Sequence, residues 1–364
     1  MRIGVNALYL IPGGVGGTEI YLRALLDALA EIDRENEYFL FTNRETGTAL
    51  GPKAANFQVV EQTVRAKSRP ARILWEQFAV PIEASSLALD VLLNPGFTAP
   101  LVCGCPQVTV FHDLQHKRHP EYFRWWDLPF WRFFLWRAAR VSRRIIAVSG
   151  ATAADLQRYY GLGAEKVRVV PHGVAPWQRR PAPKESYILT VSTLHPHKNL
   201  DGLLRAFAEF RKTHPEFRLV VCGMHGFVTG PLHDLGERLG LADAVEFPGW
   251  IPREDLLDLF AHAAGFVYPS RFEGFGMPVL EALAAGVPTA CSDIEPLRSI
   301  AGGAALLFDP SDVSAMARAL EQLLTTDGSR GPARAAEFTW RATAEGTLNI
   351  LREAFLSQDA DGRR

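Results

Sequence analysis

Two glutamates frame a glycine loop in the second half of the chain. Glu273 precedes the loop Gly274 to Gly276, and Glu281 follows it, one helical turn past Pro278. The apolar run Gly265 to Tyr268 comes first, so the pattern predicts a strand, a glycine loop and a helix. Glycine lets a ligand approach the backbone, and the free N–H groups at a helix start favour a diphosphate. The two carboxylates are suited to accept sugar hydroxyls. In the alternative interpretation, Glu281 only complements the helix dipole and Glu273 is solvated.

A second group of polar residues follows the apolar run Val108 to Phe111. His112 and Asp113 stand where side chains leave the carboxyl end of a predicted strand, and His116 and His119 come soon after. A histidine at a strand end is more often structural than catalytic, so the residues alone leave both roles open. A metal site would need a further carboxylate or cysteine at ligand spacing, which this segment lacks. We therefore predict no bound metal.

A glycine-rich loop, Gly13 to Gly17, lies near the start of the chain and opens a predicted helix through Thr18 and Glu19. Such a loop either places backbone donors near phosphates or an acceptor, or serves as a flexible turn. A dinucleotide fingerprint fails here, because Glu19 occupies the third glycine position and the strand ending near Asn43 brings no well-placed ribose carboxylate. NAD binding is disfavoured.

Short apolar runs rich in Ile and Val recur along the chain, each before a longer segment of helical period. Alternating strands and helices predict parallel sheets, with ligands bound beyond the carboxyl ends of the strands. The runs are Ile3 to Val5, Tyr38 to Phe41, Val91 to Leu93, Val108 to Phe111 and Ile145 to Val148, then Tyr187 to Val191, Arg218 to Val221, Ala244 to Phe247, Gly265 to Tyr268 and Pro288 to Cys291.

The proline-rich segment Pro171 to Pro183 separates the two series of runs and predicts a linker. We predict a first α/β domain over 1–175, a second over 176–340, and a C-terminal helix with a frayed tail over 341–364. The Asp/Gly/Arg-rich end from Gln358 is expected to fray.

The composition excludes several classes of protein. The 364 residues are 48% hydrophobic and 22% charged, as in a globular enzyme of two domains. Lys plus Arg number 39 against 40 Asp plus Glu, so no electrostatic field favours nucleic acid. From its residue pattern we expect neither a signal peptide nor a membrane span. Four cysteines, Cys103, Cys105, Cys222 and Cys291, are expected to be reduced thiols in the cytoplasm.

The glutamate-framed loop resembles the hallmark of the retaining glycosyltransferases of family 4. Its two glutamates stand around G-F-G-x-P and are followed by Ala284-Ala285-Gly286-Val287-Pro288. Other landmarks of the family occur in the expected order: Gly13 to Gly17, His112-Asp113-Leu114, Val148-Ser149, Val170 to Val174 and Val191 to Asn199. The resemblance covers nearly the whole chain. It implies two facing Rossmann-like domains, the GT-B fold, with the active site in the cleft between them.

The resemblance also implies roles for individual residues. It assigns catalysis to His112, Lys198 and Glu273. It assigns donor binding to Gly14, Gly16, Thr193, His197, Lys198, Arg271, Gly274, Phe275, Gly276, Met277, Pro278 and Glu281. The chain's single D-x-D pattern, Asp359 to Asp361, lies in the tail, so nothing resembles the metal-binding carboxylates of the other large glycosyltransferase fold. Basic groups and a helix terminus would then stabilise the diphosphate in place of a metal.

One loop departs from the family pattern. In the family an Arg-Lys pair neutralises the diphosphate leaving group; Lys198 matches the lysine, but His197 occupies the arginine position and His195 stands where an acidic residue is common. Histidine supplies less charge than arginine near neutral pH, so Arg271 or His195 is expected to compensate. The alternative makes Lys198 an ordinary surface lysine at the start of a helix.

The resemblance implies transfer of a hexose, with GDP-mannose as the first choice of donor, to a glycan or lipid-linked acceptor in polysaccharide assembly. No cofactor is expected beyond this co-substrate. Three alternatives stay open: a GT-B phosphorylase, a sugar-nucleotide epimerase, and a non-catalytic sugar-nucleotide-binding partner protein. The first two would use the same cleft with phosphate or water, and the departures at His195 and His197 keep the third open.

The segment Lys117 to Arg144 concentrates basic and aromatic residues, including Trp125, Trp126, Trp131 and Trp136. Cationic residues with Trp and Phe are typical of a helix at an anionic membrane surface, whereas an ordinary helix packed on the first sheet is the alternative. We predict a cytoplasmic protein with peripheral contact at the inner face of the membrane.

Overall fold

The computed structural model describes residues 1–14, 16–178, 182–224 and 229–360. The chain divides into two compact units. The first comprises Met1–Gly173 together with the segment from Thr339 onward, and the second comprises Val174–Phe338. The final segment, which the sequence analysis treated as a separate part over 341–364, belongs to the first unit.

The first unit contains a seven-stranded, all-parallel sheet in the order β3-β2-β1-β4-β5-β6-β7. Its strands are β1 (Arg2–Asn6), β2 (Glu37–Thr42), β3 (Phe57–Glu61), β4 (Val91–Asn94), β5 (Gln107–Phe111), β6 (Arg144–Ala147) and β7 (Val167–Val169). The helices between them are α1 (Gly17–Ile32), α2 (Arg69–Ser86), α3 (Gln115–Arg118), α4 (Leu128–Val141) and α5 (Gly150–Tyr160). In the sheet register, Val5 pairs with Leu40 on one side and Leu93 on the other.

Helices cover the sheet because their apolar residues repeat at helical spacing. From α4, Leu135 and Ala139 pack with Phe111 and Ile145 of the sheet. Helix α5 begins where the Ser149 hydroxyl accepts a hydrogen bond from the Thr152 amide over 3.1 Å, which satisfies a helix-start N–H. These caps and buried contacts fix the strand ends from which the loops leave.

The second unit contains a six-stranded parallel sheet in the order β10-β9-β8-β11-β12-β13. Its strands are β8 (Glu185–Val191), β9 (Arg218–Cys222), β10 (Val245–Gly249), β11 (Ala263–Tyr268), β12 (Thr289–Ser292) and β13 (Leu306–Phe308). Its helices are α6 (Leu200–Phe210), α7 (Thr229–Arg238), α8 (Arg253–His262), α9 (Met277–Ala284), α10 (Leu297–Ala301), α11 (Val313–Leu323) and α12 (Arg330–Ala335). The core joins α6 and α11 to the sheet through residues such as Phe207, Leu320 and Ile188.

The last helix, α13 (Trp340–Ala360), packs against α1 in the first unit and buries Leu348 and Leu351. It also fixes the start of the predicted linker, because Thr343 Oγ1 donates to the Pro171 carbonyl over 2.8 Å. The backbone of α13 continues to Ala360, past the predicted start of fraying at Gln358. The rest of the predicted tail, including Asp361, lies outside the described residues.

The apolar runs of the sequence predict ten of the thirteen strands found in the described residues, and the other three share one feature. Strands β3, β7 and β13 each lie at the edge of a sheet. Edge strands are partly solvated, so polar residues such as Gln58 in β3 and Arg168 in β7 interrupt the apolar runs that identify central strands, and β13 is only three residues long. The predicted fold class, two parallel-sheet α/β domains, is confirmed. None of the helices in the described residues is long and apolar enough to cross a membrane.

Strand order places two loops of the second unit side by side. Strands β8 and β11 are hydrogen-bonded neighbours. After β8 the chain continues to β9 on one side of this pair, and after β11 it continues to β12 on the other side. In open parallel sheets, such a reversal opens a crevice beyond the carboxyl ends of the two strands. The loop 192–199 after β8 and the loop 269–276 after β11 both start at this position.

Candidate active site

The loop after β11 enters α9 through a glycine that cannot be replaced without strain. Gly276 has a φ of 114°, and a Cβ there would lie 2.4 Å from Leu297 Cδ2. Helix α9 begins at Met277, so Pro278 occupies its second position. Both positions lie at the helix start, where backbone N–H groups and the macrodipole favour an anion.

A lysine, a tyrosine and a glutamate meet at the carboxyl ends of β8 and β11. Lys198 Nζ donates to Glu273 Oε1 over 2.6 Å and to the Tyr268 hydroxyl over 2.9 Å. The side chains of Lys198 and Glu273 are only 14% and 10% exposed. Burial, followed by the charge of Glu273, raises the pKa of Tyr268 well above its usual range, so its hydroxyl stays protonated. The cluster is a partly dry ion pair, in which each charge acts more strongly than in water.

Glu281 forms a second ion pair on α9, with Arg253 at the start of α8. The Glu281 side chain is buried, whereas that of Arg253 is half exposed. Both residues line a cavity of about 140 Å³, whose apolar walls include Trp177 and Phe260. An ionised carboxylate beside a small pocket with an aromatic wall can accept hydroxyl hydrogen bonds from a ligand. Arg253 was not foreseen from the sequence, although its place at a helix start after β10 was a signal that could have identified it.

The loop after β8 is held against the loop after β11 by backbone contacts. The His197 carbonyl accepts hydrogen bonds from the Arg271 amide at 2.8 Å and from Ser270 Oγ at 3.2 Å. Asn199, fully buried and left-handed at φ 56°, donates to the Pro269 carbonyl over 3.1 Å. These contacts set the position of Lys198 relative to Glu273.

The two histidines of this loop contact each other. His195 Nδ1 and His197 Nδ1 lie 2.6 Å apart, so one ring donates and the other accepts. Burial, followed by the charge of Lys198, lowers the pKa of His195 below its usual range. His195 is therefore neutral near pH 7 and supplies no positive charge to this loop. Arg271 is exposed and lines a depression with His195.

Sequence profiles of two glycosyltransferase families match this chain. The profile described as Glycosyltransferase Family 4 matches residues 15–178, and that described as Glycosyl transferases group 1 matches residues 175–337. The O-antigen chain mannosyltransferase B of Escherichia coli is 31% identical over 265 residues, which cover 67% of this chain and 70% of that protein. The chain belongs to glycosyltransferase family 4. The resemblance proposed from the sequence is confirmed.

Other relatives of this glycosyltransferase match over greater lengths. The MMP alpha-(1->4)-mannosyltransferase of Mycolicibacterium hassiacum is 28% identical and is aligned over 97% of this chain and 98% of its own length. Among solved structures, a sucrose-phosphate synthase from Thermosynechococcus elongatus has a TM-score of 0.79 at 19% identity, over 98% of this chain and all of that one. The Anabaena protein HepE, in complex with UDP and glucose, has a TM-score of 0.72 at 21% identity, over 97% of this chain and 99% of that chain. These structures show that the glycosyltransferase has the GT-B fold.

His112 of the glycosyltransferase lies at the carboxyl end of β5, as predicted, and is buried. Its Nε2 is 3.0 Å from the Pro95 carbonyl, and Tyr21 and Phe97 approach its ring edge-on. Burial lowers the pKa of His112 to about 4, so the ring is neutral near pH 7. A carbonyl can only accept, so Nε2 carries the proton and Nδ1 presents a lone pair. A neutral ring in this tautomer can accept a hydroxyl hydrogen bond through Nδ1.

The glycine loop near the start of the chain already uses two of its backbone donors. The Gly13 amide donates to Glu19 Oε2 over 2.8 Å, and the Gly14 amide donates to the Ile11 carbonyl over 2.8 Å. Gly16, with a φ of 58°, precedes the first residue of α1. Val15 lies outside the described residues. Of the two predicted donor-binding glycines, Gly14 is therefore bonded within its own loop, and Gly16 is the one whose amide stands at the helix start.

The histidines that follow His112 have separate partners. His116 is buried with Nε2 2.8 Å from the Tyr160 hydroxyl, and His119 Nδ1 lies 2.9 Å from Glu121 Oε1. Within the described ranges 1–14, 16–178, 182–224 and 229–360, no three His, Cys, Asp or Glu side chains form a group that could hold a metal ion. The structure thus gives these histidines structural partners.

Proposed function

We propose that this glycosyltransferase moves a hexose, with mannose as the first choice, from a nucleotide diphosphate sugar to a glycan or lipid-linked acceptor, with retention and without a metal ion. The observation that carries the proposal is the Lys198–Glu273 pair beside the start of α9. It places a cation, a carboxylate and a helix N-terminus within one loop junction. These are the groups needed to hold a diphosphate next to a sugar.

The diphosphate is proposed to lie between Lys198 and the start of α9. An ammonium has three N–H donors, and Lys198 directs two of them to Glu273 and Tyr268, so the third is left for a phosphate oxygen. The amides at Gly274 to Met277 and the helix dipole would add to the stabilisation. Arg271, whose amide donates to the His197 carbonyl, would supply the second positive charge as the phosphate leaves.

The two glutamates are proposed to hold the two sugars of the donor. Glu281 would accept the ribose hydroxyls, with Arg253 keeping its carboxylate in place. Glu273 would accept hydroxyls of the transferred hexose. Thr193, Phe275 and Pro278 complete the proposed donor contacts; Phe275 packs its ring against Phe338, so its backbone rather than its side chain would face the donor.

His112 is proposed to act on a sugar hydroxyl through Nδ1, as an acceptor and not as an acid, because its ring is neutral. No enzymic nucleophile is required. The acceptor hydroxyl would attack the face from which the nucleotide diphosphate leaves, and the departing phosphate oxygen would take the acceptor proton. The protein contributes position and charge stabilisation.

Mannose is favoured by the names of the relatives, since the Escherichia coli and Mycolicibacterium proteins are both mannosyltransferases. The Escherichia coli protein is named for O-antigen chains, which favours a role in polysaccharide assembly for this enzyme too. GDP is our choice of nucleotide, against the UDP bound to the HepE structure at lower identity.

A thermal-shift screen of nucleotide sugars tests the donor. Free ligand raises the unfolding temperature by mass action, so the donor should produce the largest shift and its nucleoside diphosphate a related one. GDP-mannose, UDP-glucose, UDP-galactose and UDP-N-acetylglucosamine form a minimal panel. Equal shifts with all four, or none, would contradict the proposed donor.

Nucleotide release then separates the remaining classes of protein. A glycosyltransferase releases GDP from GDP-mannose only when an acceptor is added. An epimerase would release nucleotide or change the sugar without an acceptor, and a phosphorylase would require inorganic phosphate. Donor binding with no turnover on any mannan or lipid-linked acceptor would favour the non-catalytic partner protein.

A further inference from the structure

Two thiols lie close together in the connection between β4 and β5, away from the carboxyl ends of the strands. Cys103 Sγ and Cys105 Sγ are 3.6 Å apart, with only Gly104 between the residues. Both side chains are half-buried against the core cluster that includes Leu89 and Leu92. A disulfide requires about 2.05 Å between the sulfurs, so a small rotation of the side chains would join them.

The pair opens onto a basic cavity. The cavity has a volume of about 810 Å³, and four cationic side chains line it with the two cysteines: Arg140, Arg143, Arg144 and Lys166. Of the described residues that line it, Glu165 is the one acid. The cavity lies at the amino-terminal ends of β5 and β6, because Pro106 and Arg144 border it.

The cationic side chains of the cavity differ in their partners within the unit. Arg144 is paired with Glu353 at 3.2 Å, and Arg143 donates to the Ser357 carbonyl over 2.7 Å. Arg140 and Lys166 donate to backbone carbonyls, which carry no net charge. Burial and then the neighbouring arginines lower the pKa of Lys166 to about 8, as expected where cations crowd together. An anion in the cavity would relieve this repulsion.

The four cysteines of the chain differ sharply in their surroundings. The hydrogen bond between the two thiols lowers the pKa of Cys103 to about 7, whereas burial raises the pKa values of Cys222 and Cys291 to about 12. Thiolates, not thiols, attack disulfides, so Cys103 is the residue prepared to react. Cys222 and Cys291 are buried in the other unit and serve as internal controls.

We propose that Cys103 and Cys105 form a thiol-modification site, at which an anionic low-molecular-weight disulfide enters the basic cavity and oxidises the pair to an intramolecular disulfide. In the first step the Cys103 thiolate attacks one sulfur of the small disulfide. The S–S bond breaks, and the leaving thiolate takes the electron pair. In the second step Cys105 loses its proton, attacks Cys103 Sγ and releases the second small thiol. Two protein thiols are oxidised and one small disulfide is reduced to two thiols.

Glutathione disulfide, which carries carboxylates, is the probe for the chemistry. The full chain is incubated with it, free thiols are alkylated, and the peptides are mapped by mass spectrometry. We expect a Cys103–Cys105 disulfide, with Cys222 and Cys291 still alkylated after unfolding. Cys105→Ser should stop at one glutathione adduct on Cys103. Cys103→Ser should react with glutathione disulfide more slowly than Cys105→Ser, by about tenfold or more. A wild type that forms no intramolecular disulfide, or equal rates for the two variants, would overturn the proposal.

A neutral disulfide, 2-hydroxyethyl disulfide, tests the role of the cavity. We expect Arg140→Gln/Lys166→Gln to slow the reaction with glutathione disulfide by roughly threefold or more, and to leave the reaction with the neutral disulfide nearly unchanged. Arg158→Gln/Arg318→Gln, which removes two positive charges elsewhere, is the matched control and should affect neither rate. If the Arg140/Lys166 variant slows both disulfides equally, the cavity does not select anions.

Discussion

Lys198 Nζ lies 2.6 Å from Glu273 Oε1, although 75 positions separate the two residues in the sequence. The contact arises because β8 and β11 are adjacent in the sheet, so the loops that leave their carboxyl ends start side by side. A role was predicted for each residue, but no contact between them. The ion pair links the cation proposed for the diphosphate to the carboxylate proposed for the transferred sugar.

Removal of the lysine should therefore affect catalysis more than folding. We expect Lys198→Met to lower kcat/KM by about 10²- to 10³-fold, because it removes a charge that stabilises the leaving group. Steady-state kinetics with GDP-mannose measure the effect. Lys212→Met, at an exposed lysine paired with Glu209 on the same unit, is the control and should leave kcat/KM unchanged. Wild-type kinetics in Lys198→Met would refute its proposed role at the diphosphate.

The pair can also be tested by a double-mutant cycle. Because Lys198 and Glu273 are in direct contact, we expect Lys198→Met and Glu273→Gln to be non-additive in the free energy of unfolding, by about 0.5–3 kcal/mol. Additive effects would show that the contact contributes nothing to stability.

The two glutamates should respond differently to substitution. Glu281→Gln is expected to weaken donor binding about tenfold, because an amide cannot accept from two ribose hydroxyls as a carboxylate does. Glu273→Ala is expected chiefly to lower turnover. Calorimetric titration of the donor and kcat measured for both variants separate the two effects. Wild-type donor affinity and turnover in both variants would refute the assignments.

Much of the fold could be predicted from the sequence, because buried parallel strands are continuous apolar runs; the missed strands were solvated edges. The site was harder to predict, because residue types do not reveal which side chains form ion pairs or hydrogen bonds with each other. Arg253 lies 28 positions from Glu281 and meets it only because α8 and α9 both start at the same side of the second sheet. Likewise, the sequence of the loop Gly13 to Gly17 did not predict that the Gly13 amide would donate a hydrogen bond to the Glu19 carboxylate.

Chelation tests the proposed metal independence. The groups proposed to stabilise the diphosphate are Lys198, Arg271 and a helix N-terminus, so EDTA should leave the transfer rate unchanged. The measurement is the release of nucleoside diphosphate before and after exhaustive chelation. Activity that EDTA abolishes and magnesium or manganese restores would show that a divalent ion takes part.

Stability of the first unit should depend on pH through His116. Burial, followed by the charges of Lys117 and Arg132, lowers the pKa of His116 to about 4. The unfolded chain takes up this proton near pH 6.5, so the neutral ring stabilises the fold above pH 6.5, and this contribution is lost as the pH falls toward 4. The loss amounts to about 2 kcal/mol between pH 7 and 5.

His116→Gln removes the titrating group and should flatten the fall in the free energy of unfolding between pH 7 and 5, while it lowers stability at pH 7. Denaturant unfolding at both pH values measures the difference. His119→Gln, three positions along in the same unit, controls for the loss of a histidine as such. An unchanged pH dependence in His116→Gln would contradict the neutral, buried state of this ring.

The surface of α4 and of the turn before it carries exposed aromatic residues, as the membrane hypothesis requires. Trp125 and Trp126 are 79% and 56% exposed, and Phe133 and Trp136 are exposed on the helix that follows. Leu135 and Ala138 bury the opposite face against the first sheet, so the packing of this helix does not use these aromatic rings. Arg124 and Arg137 lie over the rings of Trp126 and Trp136. Exposed tryptophans with arginines are suited to the interface of an anionic bilayer.

We therefore expect the enzyme to co-sediment with vesicles of phosphatidylglycerol and phosphatidylethanolamine at low salt, and to be released as the salt concentration rises, since screening weakens the attraction of arginine to lipid charge. Trp125→Ala/Trp126→Ala should bind severalfold more weakly, because the binding of an interfacial segment scales with the apolar area that it buries in the bilayer. Trp250→Ala, at a tryptophan that is 65% exposed in the other unit, is the matched control and should bind like the wild type. Absence of binding by the wild type, or equal binding by the wild type and the double variant, would show that this surface does not bind the membrane.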